Sequence, residues 1–247
     1  MEKYRIRFCK EGRAKYISHL DLLKVFTRCG RRIDLDLEYS QGFNPHAEIV
    51  FSAPLPLGMT SEAEYVDLQL AHETDPDKLL ELLKRSLPSG IVPLKIRKLE
   101  QGEGSVMKPV RYARYRLEAR TGENITPEIF SDSVKRCLDS NEPVMTAKKS
   151  KSGTKVVDIR PMIVSFGTDF NVIDGNNMSF EAVMAAGNEV NLRPEVAFKG
   201  IIDKLNGTDP SKAPEDAALD ETNAPVSCEL LTARKLEFLD FEQKPLW

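Results

Sequence analysis

KYRIRF, residues 3 to 8, alternates: Tyr4, Ile6 and Phe8 fall on one side of an extended chain, Arg5 and Arg7 on the other. Side chains of a strand point to opposite faces in turn, so this is the pattern of a strand with one covered face. A helix follows. Ser18 is placed to cap it, with Asp21 three residues on in a capping-box arrangement, and Leu22, Val25, Phe26, Cys29 and Ile33 recur at helical spacing. EIVFS and EYVDLQL read as strands. Asp75 and Pro76 open a second helix through LLELLKRSL that stops at Pro88 to Gly90, and VPLKIRKL is a fourth strand.

The order β-α-β-β-α-β is that of the ferredoxin-like split unit. The remaining chain repeats it without a close sequence repeat. RYARYRLEA alternates, TPEIFSDSVKRCL is a helix capped by Thr126, and KVVDIRPMIVSF and NMSFEAVMA supply strands. RPEVAFKGIIDKLNG is a helix closed at Asn206 and Gly207, and LLTARKLEFLDF is the last strand. The expected fold class is therefore α+β: two tandem ferredoxin-like lobes, 1–100 and 110–247, each with its helices on one sheet face. QGEGSVMKP, 101–109, reads as the junction. KKSKSGTK, 148–155, and the acidic, proline-bearing segment 207–225 read as mobile.

The chain has 247 residues, 41% hydrophobic and 30% charged, ordinary values for a globular protein with a sizeable core. Its formal charge of −3 conceals a polarity, because Lys and Arg dominate residues 1–32 and Asp and Glu dominate 33–90. Cys9, Cys29, Cys137 and Cys228 stand far apart with no CxxC pair and no histidine at metal-ligand spacing. Reduced thiols, no metal and no cofactor are expected. No signal-peptide core and no long apolar run is present, so a cytoplasmic location without a membrane partner is the expectation.

In a ferredoxin-like unit the helices cover one face of the sheet. With Tyr4, Ile6 and Phe8 beneath them, Arg5 and Arg7 point to the open face, where Lys95 and Arg97 of the neighbouring strand join them. Arg114 and Arg116 hold the matching place in the second half. Phosphate affinity comes mainly from Lys and Arg along a face, so RNA or another polyanion is one ligand such a surface takes. Strands facing water also carry charge without any ligand. Lys155 in the lysine-rich loop and Arg160 beyond it form a second basic cluster, with no P-loop spacing. His19 and Asp21 of ISHLD, with His46, could supply acid/base chemistry, but Asp21 also has a capping role. In YSQGFNPH, Gly42, Asn44 and the following proline make a turn; Phe43 and His46 are left over from that geometry and mark a binding surface.

YISHLDLLKVFTR, then YSQGFNPHAEIVFSAPLPLGMTSEAEYVDLQL, then KVVDIRPMI and LRPEVAF in the same order, resemble the uncharacterised radical-SAM-linked protein family. Its members occur alone or fused to the C-terminus of B12-binding radical SAM proteins. The likeness is densest from Tyr16 to Leu70. It implies a radical SAM protein as partner and assigns no catalytic residue. A radical SAM cluster requires a cysteine triad, which this chain lacks, so a companion rather than the radical enzyme is implied. The expected function is a non-catalytic accessory or substrate-binding module beside such a protein, handling RNA or another anionic ligand. The alternatives are an RNA-processing endonuclease using His19 and His46 as acid and base, or a pure protein-docking module.

Overall fold

The computed structural model describes residues 1–150, 153–208 and 226–247. Its elements run β1 (Glu2–Lys10), α1 (His19–Arg32), β2 (Ile49–Phe51), β3 (Thr60–Leu70), α2 (Pro76–Ser86), β4 (Ile91–Lys98), β5 (Tyr112–Thr121), α3 (Pro127–Asp139), β6 (Met145–Ser150), β7 (Gly153–Asp158), β8 (Ile163–Asp174), β9 (Asn177–Ala185), α4 (Pro194–Leu205) and β10 (Cys228–Leu239), with 3-10 turns at Gly12–Tyr16 and Arg160–Met162. The architecture is mixed α+β, with four helices among the described residues. The chain divides into two compact units, Met1–Arg111 with Arg234–Trp247, and Tyr112–Ala233. The final stretch of β10 thus belongs with the first unit.

In the first unit β1 is central, antiparallel to both β3 and β4. The far edge of β3 carries two short partners: β2 pairs antiparallel with Val66 to Leu68, and Arg234 and Lys235 of β10 pair parallel with Thr60 and Ser61, which makes the sheet mixed. Tyr4, Ile6 and Phe8 are wholly buried, on the face shared with Val66, Leu68 and Leu70, against Leu22, Phe26 and Cys29 of α1 and Leu79 and Leu83 of α2. Phe8, Phe26 and Phe51 form an aromatic cluster with ring centroids 5.3 to 6.2 Å apart. Each such pair contributes about 0.5–1.5 kcal/mol beyond its area.

The helix ends follow the local signals. Ser18 Oγ accepts from Asp21 N at 3.2 Å and donates to Asp21 Oδ2 at 2.7 Å. Asp75 and Thr126 cap α2 and α3, each followed by a proline whose missing N–H costs nothing in the first turn.

The second unit pairs β5 with β9 and β9 with β8, all antiparallel, while β6 and β7 form a separate two-stranded hairpin. KVVDIRPMIVSF, expected as one strand, is two. β7 ends at Asp158, whose Oδ1 accepts from Val144 N and Arg160 N, and Pro161 lies in a 3-10 turn before β8 begins. A side chain holding two backbone amides redirects the chain where the apolar pattern alone runs on. Residues 148–150 and 153–155, expected as part of a mobile loop, lie in β6 and β7. Lys151, Ser152 and most of the acidic segment, 209–225, lie outside the described residues.

Among the described residues no helix is long and apolar enough to cross a membrane.

Candidate functional site

The strand arginines meet as neighbours: Arg5 lies opposite Arg97 and Arg7 opposite Lys95 in the β1–β4 register. The face they share is not open. The segment after β4 folds back over it, where Val106 and Val110 are buried and Gly104 O accepts from Arg5 Nη2 at 2.9 Å. Arg5 is 4% exposed and bound through Nε and Nη2 to Asp67, and Glu103 bridges it to Arg97. Arg7 Nη2 is 2.8 Å from Glu237 Oε2, whose other oxygen accepts from Tyr65 OH at 2.6 Å. In the second unit Arg116 Nη2 contacts both Asp169 and Glu181, and Arg114 Nε is 3.8 Å from Glu181. Like charges on adjacent strands repel unless a carboxylate lies between them, and here the carboxylates are built in. In the first unit the expectation of an uncovered cationic sheet is corrected accordingly; Lys95 remains exposed, as does Arg114 in the second unit.

The two histidines of the acid/base reading are not brought together. His19 opens α1 and packs edge-on against Phe51, centroids 5.6 Å apart. His46 lies in the loop that passes the other end of the helix: its Nδ1 is 2.8 Å from Ser40 Oγ, and Tyr39 OH of the same loop accepts from Arg31. The 14 residues of α1 separate these ends by about 20 Å at about 1.5 Å per residue. Gly42 has φ +143, a conformation that disfavours other residues, and Phe43, Asn44 and Pro45 are exposed beside it, Phe43 completely. Asp21 is held below the usual carboxylate range by Ser18 and then by Lys24, consistent with a capping role.

Arg160 acts within the fold. Its guanidinium donates to Leu138 O, Ile163 O and Asn141 Oδ1, tying the end of α3 to the start of β8. Lys155 is exposed on β7.

The amino-terminal end of α1 gathers what the sequence reading left scattered. The loop 51–58 runs beside residues 15–22: Gly58 N donates to Lys15 O at 2.9 Å, and His19 and Leu22 line a niche with Phe51 to Leu55. Lys10, Ser52 and Glu64 complete its wall, and the cavity holds about 10 Å³, room for about one water. Lys10 and Glu64 are 2% and 5% exposed, and Lys235, 1% exposed, has Nζ 2.5 Å from Glu64 Oε1. Burial pushes both lysines below the usual ammonium value, opposed in each by the Glu64 charge. Outside the niche Tyr16, Leu20 and Leu57 stand 64%, 69% and 67% exposed.

A family model described as an uncharacterized protein conserved in bacteria, DUF2344, matches residues 3–194. The chain belongs to the DUF2344 family. No curated protein matches it. In this DUF2344 chain burial raises the pKa of all four thiols, Cys228 to about 12, so none is an activated nucleophile at neutral pH. Among the described residues no cluster of three or more His, Cys, Asp or Glu comes together to hold a metal. Apart from His19, the niche residues were absent from the sequence-based site, yet two carried a signal. Lys10 continues the buried alternation of Tyr4, Ile6 and Phe8, and Glu64 sits on the buried side of β3 with Val66 and Leu68. Lys235 carries none, since its partner is remote in sequence.

Proposed function

We propose that this protein is a docking module that works beside a radical SAM protein and engages it through the surface at the amino-terminal end of α1. The observation that carries this reading is that Tyr16, Leu20 and Leu57 are all mostly exposed on two segments, the loop 51–58 and residues 15–22, that run side by side and are tied by Gly58 N to Lys15 O. Isolated apolar residues on a surface need no explanation, but several in one place mark contact sites. Arg13 is exposed nearby and the Lys15 ammonium lies 5.2 Å from the Tyr16 ring. An apolar centre with a basic border fits a partner surface that is apolar at its centre and acidic at its rim. The radical SAM identity of the partner rests on the motif resemblance, and SHLD and SAPLPLG are the segments that meet here. A ferredoxin-like reading of the first unit is supported by β2 and β1 flanking β3 and β4 flanking β1; the second unit carries the β6–β7 hairpin as an addition.

The test is capture on immobilised protein from a lysate of cells that express it. Retention of a radical SAM protein, reduced about tenfold or more in the Leu20→Asp/Leu57→Asp variant, supports the proposal. No retention, or retention unchanged in the variant, overturns it.

A second reading, RNA as ligand, is favoured by Lys24, Arg28 and Arg31, exposed at helical spacing along α1. Salt-sensitive retention of labelled RNA that is lost in Arg28→Ala/Arg31→Ala supports it.

A further inference from the structure

Two rows of side chains cross the first unit's sheet on the side away from the helices. Val50, Asp67, Arg5 and Arg97 stand in one row, by the pairing of β2 with β3, β3 with β1 and β1 with β4. The other is Glu48, Gln69 and Lys3: Gln69 N donates to Glu48 O at 3.0 Å, and Gln69 is the register partner of Lys3. The rows share a face because side chains alternate along a strand. The segment that folds back after β4 covers the first row, with Glu103 on Arg5 and Arg97, Gly104 O on Arg5 and Val106 N on Asp67. It leaves the second partly open, Lys3 exposed and Glu48 and Gln69 half-buried.

Between the open row and the covering segment lies a notch of about 70 Å³, lined by both. One water needs about 10–15 Å³, so the notch has room for about five non-hydrogen atoms. Four charged groups line it, and two of them are already matched: Asp67 accepts from Arg5 and Val106 N, and Glu103 is held by Arg5 and Arg97. The other two are Glu48 and Lys3, whose side chains make no ion pair or hydrogen bond among the described residues. Two interstrand steps of about 4.8 Å separate them, with Gln69 between. Hydrogen bonds of about 2.9 Å at each end leave a gap of about 4 Å, which the ammonium and carboxylate of one α-amino acid span. Gln69 Nε2 is turned to Met1 Sδ at 3.2 Å, so its Oε1 is left to accept. Ser105 Oγ accepts from Met107 N at 3.4 Å and keeps its proton to donate. Val50 and Leu99 give the notch apolar ends.

We propose that this notch binds a small zwitterion, an α-amino acid of glycine or alanine size, with its ammonium on Glu48 and Gln69 and its carboxylate on Lys3 and Ser105. The site lies apart from the amino-terminal end of α1 and needs no partner protein, so it stands or falls separately from the docking reading.

The experiment follows the amide signals of the isotope-labelled full chain by NMR while glycine, L-alanine, acetate, methylammonium or glycylglycine is added at constant ionic strength. Saturable shifts centred on the Gln69 side chain and Gly104 are expected with glycine and L-alanine. Glu48→Gln and Lys3→Met each remove one charge from a solvent-facing side chain, and the same spectra report that the fold is kept. Each is expected to weaken glycine binding at least about tenfold, the value of one charge-assisted hydrogen bond. Acetate and methylammonium, which offer one charge each, are expected to bind at least about tenfold more weakly than glycine. The absence of a saturable shift at Gln69, a glycine titration unchanged in either variant, or acetate, methylammonium or glycylglycine bound as tightly as glycine overturns the proposal.

Discussion

Arg5 and Asp67 face one another across β1 and β3 with Nε 2.8 Å from Oδ1 and Nη2 3.0 Å from Oδ2, and Asp67 Oδ2 accepts in addition from Val106 N at 2.8 Å. Both side chains are below a tenth exposed. A buried pair of this kind adds little relative to an apolar one, but breaking it strands a charge. Asp67→Ala is expected to lower stability by about 3–5 kcal/mol, measured by urea denaturation. The double variant Arg5→Met/Asp67→Leu is expected to recover part of that loss, the remainder being the Val106 N–H left without its acceptor.

Arg160 predicts a smaller effect in the second unit. It holds Leu138 O, Ile163 O and Asn141 Oδ1 with one planar group. Arg160→Ala leaves these acceptors to solvent or to nothing, a loss of about 1–3 kcal/mol. Arg160→Lys is expected to restore little, because a single ammonium does not span acceptors on separate elements. Thermal unfolding of the three proteins checks both statements.

Acid sensitivity follows from Glu103. The hydrogen bond from Arg97 holds its carboxyl below the usual 4.5, against the opposing effect of burial. As pH falls, the unfolded chain takes up this proton first. The stabilisation is therefore complete above about 4.5 and is lost as pH drops through the lower folded value. Urea midpoints taken between about pH 7 and pH 3 are expected to fall more steeply in the wild type than in Glu103→Gln over that acid window.

Gly90 is a position where a side chain does not fit. Its φ is +87, and an added Cβ would stand 2.5 Å from Glu11 O and 2.9 Å from Ala14 Cβ. Gly90→Ala is expected to cost more than about 1 kcal/mol. Because Glu11 N also donates to Gly90 O at 2.8 Å at the start of the 3-10 turn that carries Tyr16, the same variant is expected to weaken capture of the partner. Calorimetry and the capture assay read the two effects separately.

The fold was legible wherever the signal was local. The alternation of Tyr4, Ile6 and Phe8 marked the buried face of β1, and Ser18 with Asp21 marked the start of α1. What was not legible depends on residues far apart in the chain. Nothing near Arg5 announces Asp67 or Glu103 as its partners, so an alternating strand with arginines outward reads as a cationic platform when it is an internally neutralised layer. The loop 51–58 likewise contains no motif that names residues 15–22 as its neighbour, and the surface at Tyr16, Leu20 and Leu57 exists only once they meet. Lys10 and Glu64 were readable in principle, since each places a charge on the buried side of its strand's alternation, where a hydrophobe is the rule.

The parallel pairing of Arg234 and Lys235 with Thr60 and Ser61 imposes an order on biosynthesis. A ribosome releases chain from the amino terminus at about 5–20 residues per second, so β1, β3 and α1 leave the exit tunnel many seconds before β10. Throughout that interval Glu64 has no Lys235 beside it and the edge of β3 is unfinished. The first unit therefore gains its last edge pairing and its Glu64–Lys235 contact only after the end of the chain has been made.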